Sequence, residues 1–260
     1  VHPPRQNDAP VTAAAFVHSA FWTSQGTEAG PLGGEAYIGP VLRALGSRLP
    51  ARGLQLIGVG PRTNFRARRW WHRLSEFGDP AATSMPFTPI EAYASPGGAG
   101  SSLRHWRQCR TTRWALWASD ELRRAAVLRG VDVWPLVKAE LAGAALLQLP
   151  WSARAMDEAG SALDALRPRV AVTYAEAGGW GRALILEARP RGIPVVGLQH
   201  GFIYRHWLNY LHEPDEMRPS AVNAADRGFP FPDVTLVFDG YAASHLVEGG
   251  AFPPTSVVVT

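Results

Sequence analysis

The run Gln199-His200-Gly201 follows an apolar stretch, Val195-Val196-Gly197-Leu198, and puts an imidazole between a strand and a glycine. An imidazole with an unperturbed pKa near ~6.5 can accept a proton from a hydroxyl at neutral pH. Gly201 lets backbone or ligand approach closely. A hydrogen bond from His200 to a neighbouring loop is the competing role. Glu176 stands just beyond a second apolar run, Val170 to Tyr174, where it could orient His200 or bind a sugar hydroxyl. Its alternative is a salt bridge to Arg182. Gly178-Gly179-Trp180-Gly181-Arg182 opens a helix and could hold an anion on free backbone amides, unless its glycines serve only close packing. Further polar side chains follow other apolar runs: His18 and Ser19 after the first, Arg62 and Asn64 after the second. Glu35 and Tyr37 lie at a helix entrance. Tyr204 and Asn209 belong to a polar-aromatic loop that suits stacking on a sugar, or packing at a helix start.

Regular elements must bring these residues together. Val11 to Val17 reads as a buried strand, and a Gly-rich loop runs from Gly26 to Gly34. Ile38, Val41, Leu42, Leu45 and Leu49 then keep the spacing of one helical face. Pro40 fits only the first turn of that helix, and Leu54 to Val59 is the next strand. Residues 101–150 read as mostly helical, with a helix start at Ser119-Asp120-Glu121. Ala159, Ala162, Leu163 and Leu166 form another amphipathic helix, stopped by Pro168. The clearest unit is strand 170–174, helix 178–189 and strand 195–198; a further strand, Val234 to Phe238, and a helix near Tyr241 to Glu248 lead to a final strand. Strands alternating with helices predict an α/β, Rossmann-like doubly wound parallel sheet flanked by helices. Ligands of such sheets bind beyond the carboxyl ends of the strands, and every candidate above follows a strand or a helix entrance. In domain terms, 1–10 is an unstructured lead-in, 11–256 is the Rossmann-like domain with a helical insertion at about 62–150, and 257–260 begins a linker.

Composition narrows the chemistry. The 260 residues are 46% hydrophobic and 18% charged, an ordinary globular balance. No apolar run approaches the ~20 residues that span a bilayer, and the first residues lack a signal-peptide order. A cytoplasmic location is expected, peripheral on the inner face of the membrane. Cys109 is the only cysteine, which excludes an internal disulfide framework. His200, His206, His212, Glu213 and Asp215 match no standard ligand spacing, so no metal is expected. Gly58-Val59-Gly60-Pro61 lacks the third glycine of a dinucleotide fingerprint, Thr63 standing in its place, so no cofactor is expected either. Net charge is +4, and all but one of the 26 basic residues are arginine, Lys138 being the exception. That charge favours anionic partners. The segment Arg62 to Arg73, with Trp70 and Trp71, is expected to dock on an anionic membrane surface beside a lipid-linked acceptor.

Glu176, Gly181-Arg182, Gly192-Ile193-Pro194 and Gln199-His200-Gly201 resemble the acceptor-side domain of GT-B glycosyltransferases. The nearest resemblance is to bacterial surface and capsular polysaccharide transferases and to CDP-glycerol glycerophosphotransferases. In the latter a strand ends in Trp-His-Gly, whose histidine is regarded as the base; here Gln199 replaces the tryptophan while His200 and Gly201 match. Asp233 to Thr260 resembles the family segment that leads into the second domain. The likeness covers roughly a quarter of the chain. It implies one half of a GT-B fold, with the nucleotide-sugar donor held mainly by a C-terminal domain beyond Thr260. It also implies transfer of a sugar to a hydroxyl of a carbohydrate or lipid-linked acceptor in cell-surface polysaccharide synthesis. The chain starts without methionine and stops on a strand pattern, so it is read as part of a longer protein, inactive alone. A glycerophosphotransferase, a nucleotide-sugar epimerase, a degenerate domain kept for protein contacts, and a non-catalytic module for anionic surfaces or nucleic acid are the alternatives. Nucleic acid is disfavoured because no known binding motif accompanies the arginines.

Overall fold

The computed structural model describes residues 11–21, 35–50, 53–60, 87–94, 100–174, 177–203, 206–222 and 226–260. Two compact units emerge, one formed by residues 1–93 and 159–260 and the other by 94–158. The boundary near residue 158 falls inside one helix, Leu149–Leu166.

The first unit is built on a seven-stranded parallel sheet. Its strands are β1 (Ala13–His18), β2 (Leu54–Val59) and β3 (Thr88–Pro89), then β6 (Val170–Thr173), β7 (Val195–Leu198), β8 (Val234–Val237) and β9 (Val257–Val259). The order is β3-β2-β1-β6-β7-β8-β9, with every pairing parallel. This is the expected α/β, Rossmann-like arrangement. β1 begins at Ala13, slightly later than the apolar run implied, and extends through His18. Its Ala13 to Val17 are all buried, the continuous apolar pattern of a strand covered on both faces. β3 is a two-residue strand; Pro89, which has no N–H to donate, is tolerated there because β3 lies at the sheet's edge.

Helices follow the same logic. Helix Gly39–Arg48 carries Pro40 in its first turn, and its Leu42, with Ile38 just ahead of it, is buried in a cluster with Ala15, Val17, Leu56, Val172 and Tyr174. Val41, expected on that face, is instead exposed. Helix Gly179–Ala188 buries Trp180, Gly181, Ala183, Leu184 and Ile185. Arg191 grips Asp164 with Nε and Nη2 at 2.7 and 2.8 Å and reaches Glu187 at 2.7 Å. That joins the end of helix 149–166 to the turn before β7. The Asp233 carboxylate accepts the Val195 N–H at 2.7 Å, setting the start of β7 beside β8.

The second unit is mostly helical, as expected for 101–150. It comprises helices Gly100–Arg107, Cys109–Trp117, Asp120–Ala125 and Trp134–Gly143, then a π-type turn, Ala144–Gln148, that runs on into helix 149–166. Ser119 caps its helix through the Leu122 N–H, 3.2 Å away. The sequence reading lacks one element, the antiparallel hairpin of β4 (Val127–Leu128) and β5 (Val131–Asp132). Its two-residue turn takes Arg129 and Gly130 to positive φ of 51° and 81°, a mirror-image turn that matches strand twist. Among the described residues no helix is long and apolar enough to cross a membrane.

Candidate functional site

β1, β2 and β3 step away from the centre in one direction, and β6 to β9 step away in the other. The order therefore reverses between β1 and β6, and open α/β sheets bind ligands in the crevice beyond such a switch point. His18 ends β1, Tyr174 follows β6, and Gln199-His200 follow β7. Because these strands are parallel neighbours, the three ends share one rim.

Tyr174 is the centre of the arrangement. Its ring is buried, 1% exposed, and its hydroxyl accepts the backbone N–H of His18 at 2.8 Å. One phenol thus ties the ends of β1 and β6 across the switch point. Burial pushes its ionisation far above the usual value, and the negative Glu35 carboxylate beside it acts in the same direction. Glu35 is itself only 3% exposed. Its Oε2 accepts the N–H groups of Tyr37, at 2.8 Å, and Ile38, which serves the open amides ahead of helix 39–48. Its Oε1 has no hydrogen-bond partner.

His200 is half-buried, with aromatic walls on three sides. Tyr37 meets it edge-on at 5.7 Å, Tyr174 at 5.5 Å, and Trp207 lies at 6.3 Å between centroids. Burial lowers its pKa below the usual imidazole value; a hydrogen bond to the Tyr174 backbone and the charge of Glu35 oppose that shift. The net direction leaves the ring neutral at pH 7. A neutral imidazole has one ring nitrogen with a free lone pair, which can take a substrate proton.

His18 is also pushed down, first by burial and then by the neighbouring His200. Its ring contacts Phe21 at 4.9 Å and lies against Gly60. There φ is +107°, and a Cβ would come within 2.7 Å of the ring. The arrangement thus supplies two neutral imidazoles, a buried carboxylate and an aromatic wall, a set suited to removing a proton from a hydroxyl held at the rim.

The other predicted residues divide. Tyr37 is half-exposed on the wall of His200. Ser19 is fully buried. Gln199 uses its amide inside the chain, accepting the Phe238 N–H and donating to the Gly201 carbonyl, both at 2.8 Å. It clips the β7 end to the β8 end. A Cβ at Gly201 would meet nothing within 4 Å, so the space above the rim is open there. Gly178 precedes helix 179–188 and is exposed. Arg182 places its guanidinium 4.5 Å from the Phe229 ring, and Asn209 is exposed, with its carbonyl 3.1 Å from His212 Nε2. Glu176, Arg62, Asn64 and Tyr204, together with the whole Arg62 to Arg73 segment, lie outside the described residues. Among those described, no group of three His, Cys, Asp or Glu side chains could hold a metal ion.

No protein-family model and no curated protein matches the sequence. Geometry and chemistry carry the functional reading. Sequence reasoning missed Tyr174, whose only signal was a tyrosine ending a buried strand. It also missed Glu35 as the carboxylate felt by His200, a role it gave to Glu176.

Proposed function

We propose that this rim is the acceptor side of a GT-B type glycosyltransferase of cell-surface polysaccharide synthesis, with His200 as general base. The observation behind the reading is a half-buried histidine at the carboxyl-end rim, beside the sheet's switch point, enclosed by Tyr37, Tyr174 and Trp207 and held neutral by that burial. In the reaction, the unprotonated ring nitrogen of His200 takes the proton of an acceptor hydroxyl. The hydroxyl oxygen attacks the anomeric carbon of a nucleotide sugar. The bond from that carbon to the phosphate oxygen breaks, and the nucleotide leaves with the electron pair. Tyr37 and Trp207 offer faces for the acceptor ring. Glu35 stabilises the imidazolium that forms.

The test is His200→Gln in the full-length protein, assayed for nucleotide release over a panel of nucleotide sugars. Glutamine keeps some hydrogen bonding and cannot take the proton, so kcat should fall by roughly 10²–10⁴-fold with donor binding intact. A folded variant with wild-type kcat refutes His200 as base and points to His18. Turnover of CDP-glycerol instead of sugars would move the attack from carbon to phosphorus. Altered donor sugar without transfer would make the protein an epimerase.

A further inference from the structure

Residues Gly100 to Trp117 contain four arginines and one histidine, and no aspartate or glutamate. They form helices 100–107 and 109–117, and the hydrogen-bond ladder runs on through Gln108, from the Gln108 N–H to Arg104 and from the Thr112 N–H to Gln108. Neither helix has a single buried residue. At 100° per residue, Leu103, Trp106, Arg107, Arg110 and Trp114 fall on one side. Trp106 is 56% exposed, Trp114 59% and Leu103 44%. The half-buried residues Ser101, His105, Cys109, Thr112 and Leu116 mark the opposite side, and the exposed side ends at Trp117, which is half-buried and donates its Nε1–H to the Lys138 carbonyl at 3.1 Å. Among the described residues no ion pair neutralises Arg104, Arg107 or Arg110. Two tryptophans and a leucine thus stand in water beside the uncompensated guanidinium groups of Arg107 and Arg110, with Arg104 at the flank of the same face.

We propose that this face docks on an anionic lipid bilayer, lying in the interface. Indole rings favour the level of the lipid headgroups. Arginine keeps its charge among phosphates while its stem lies along apolar surface. The apolar centre distinguishes this from a nucleic-acid surface, where Leu103 would have nothing to bury against. The same unit exposes Val127, Leu128 and Val131 on its hairpin, beside Arg129. The proposal needs no part of the transferase reading, because docking is measured without substrate.

The experiment is co-sedimentation of the full chain with phosphatidylglycerol–phosphatidylcholine vesicles, with pure phosphatidylcholine vesicles and single-stranded RNA as comparisons. Binding to the anionic vesicles should weaken as salt rises. Each arginine near such a surface is worth about fivefold in binding, so R104Q/R107Q/R110Q should weaken it on the order of 100-fold. W106A/W114A should retain its circular dichroism, bind less, and lose most of the tryptophan quenching by brominated lipid. Equal binding to neutral vesicles, none to anionic ones, or unchanged binding by either folded variant would overturn the proposal. A preference for RNA over vesicles at equal phosphate would make the face a nucleic-acid surface and overturn it as well.

Discussion

Tyr174→Phe removes one oxygen from the centre of the rim and changes nothing else in volume. The loss leaves the His18 N–H without its 2.8 Å acceptor and Glu35 without its phenolic neighbour. An orphaned buried donor costs about 1–3 kcal/mol, so the variant should be less stable by that amount at pH 8. The pH dependence carries the sharper test. The native phenol is held protonated above its usual value, while the unfolded chain releases the proton near pH ~10. The native state therefore binds more protons than the unfolded state above that point. Stability must fall as pH rises, by about 1.4 kcal/mol per pH unit. The phenylalanine variant has no such group, so its curve should be flatter by that slope, and the two proteins should converge by about pH 11.5. Urea unfolding of both proteins from about pH 7 to about pH 11.5 measures the difference, and other tyrosines cancel in it. Parallel curves would show that Tyr174 ionises freely in the folded protein, and its burial beside the Glu35 carboxylate would fall with them.

Two smaller perturbations probe the same rim. Glu35→Gln keeps an acceptor for the Tyr37 and Ile38 amides but removes the charge that raises the His200 pKa against burial. The acid limb of the pH–rate profile should shift to lower pH; an unmoved limb would mean that Glu35 and His200 are not coupled. Gly60→Ala forces an alanine to a φ of +107° and drives its Cβ toward the His18 ring. Strain of that kind costs about 1–3 kcal/mol, which in a chain this size lowers Tm by roughly 2–4 °C for each kcal/mol. Unchanged melting with an unshifted His18 NMR signal would refute the contact.

The sheet was legible because its signals are local. Val170 to Thr173 and Val195 to Leu198 are short, mostly apolar runs separated by a helix with a glycine- and proline-rich stop, a spacing that only a crossover between parallel strands satisfies. Leu54 to Val59 is read correctly for the same reason. Hairpin 127–132 escaped because its strands have two residues each, too few to show a period, and Arg129-Gly130 is a weak turn signal inside a helical stretch. Val41 escaped because spacing marks a stripe and cannot say how wide the buried part is.

The site was legible only by halves, and the missing half has one physical cause. His200 and His18 declare themselves by following apolar runs, since a strand's end is a local event. Their relation is not local: His18 and Tyr174 are 156 residues apart, joined because β1 pairs with β6 in register from Ala13 and Val170. That pairing is also what makes the switch point, so the residue that closes the crevice can be named only once strand order is known. The reading from sequence placed Glu176 beside His200 because both follow neighbouring strands. Among the described residues the acid felt by His200 is Glu35, which lies just ahead of helix 39–48 and is held by the Tyr37 and Ile38 amides. A carboxylate fixed by amides costs the site no freedom when the proton arrives, and its negative charge favours the imidazolium that forms on His200.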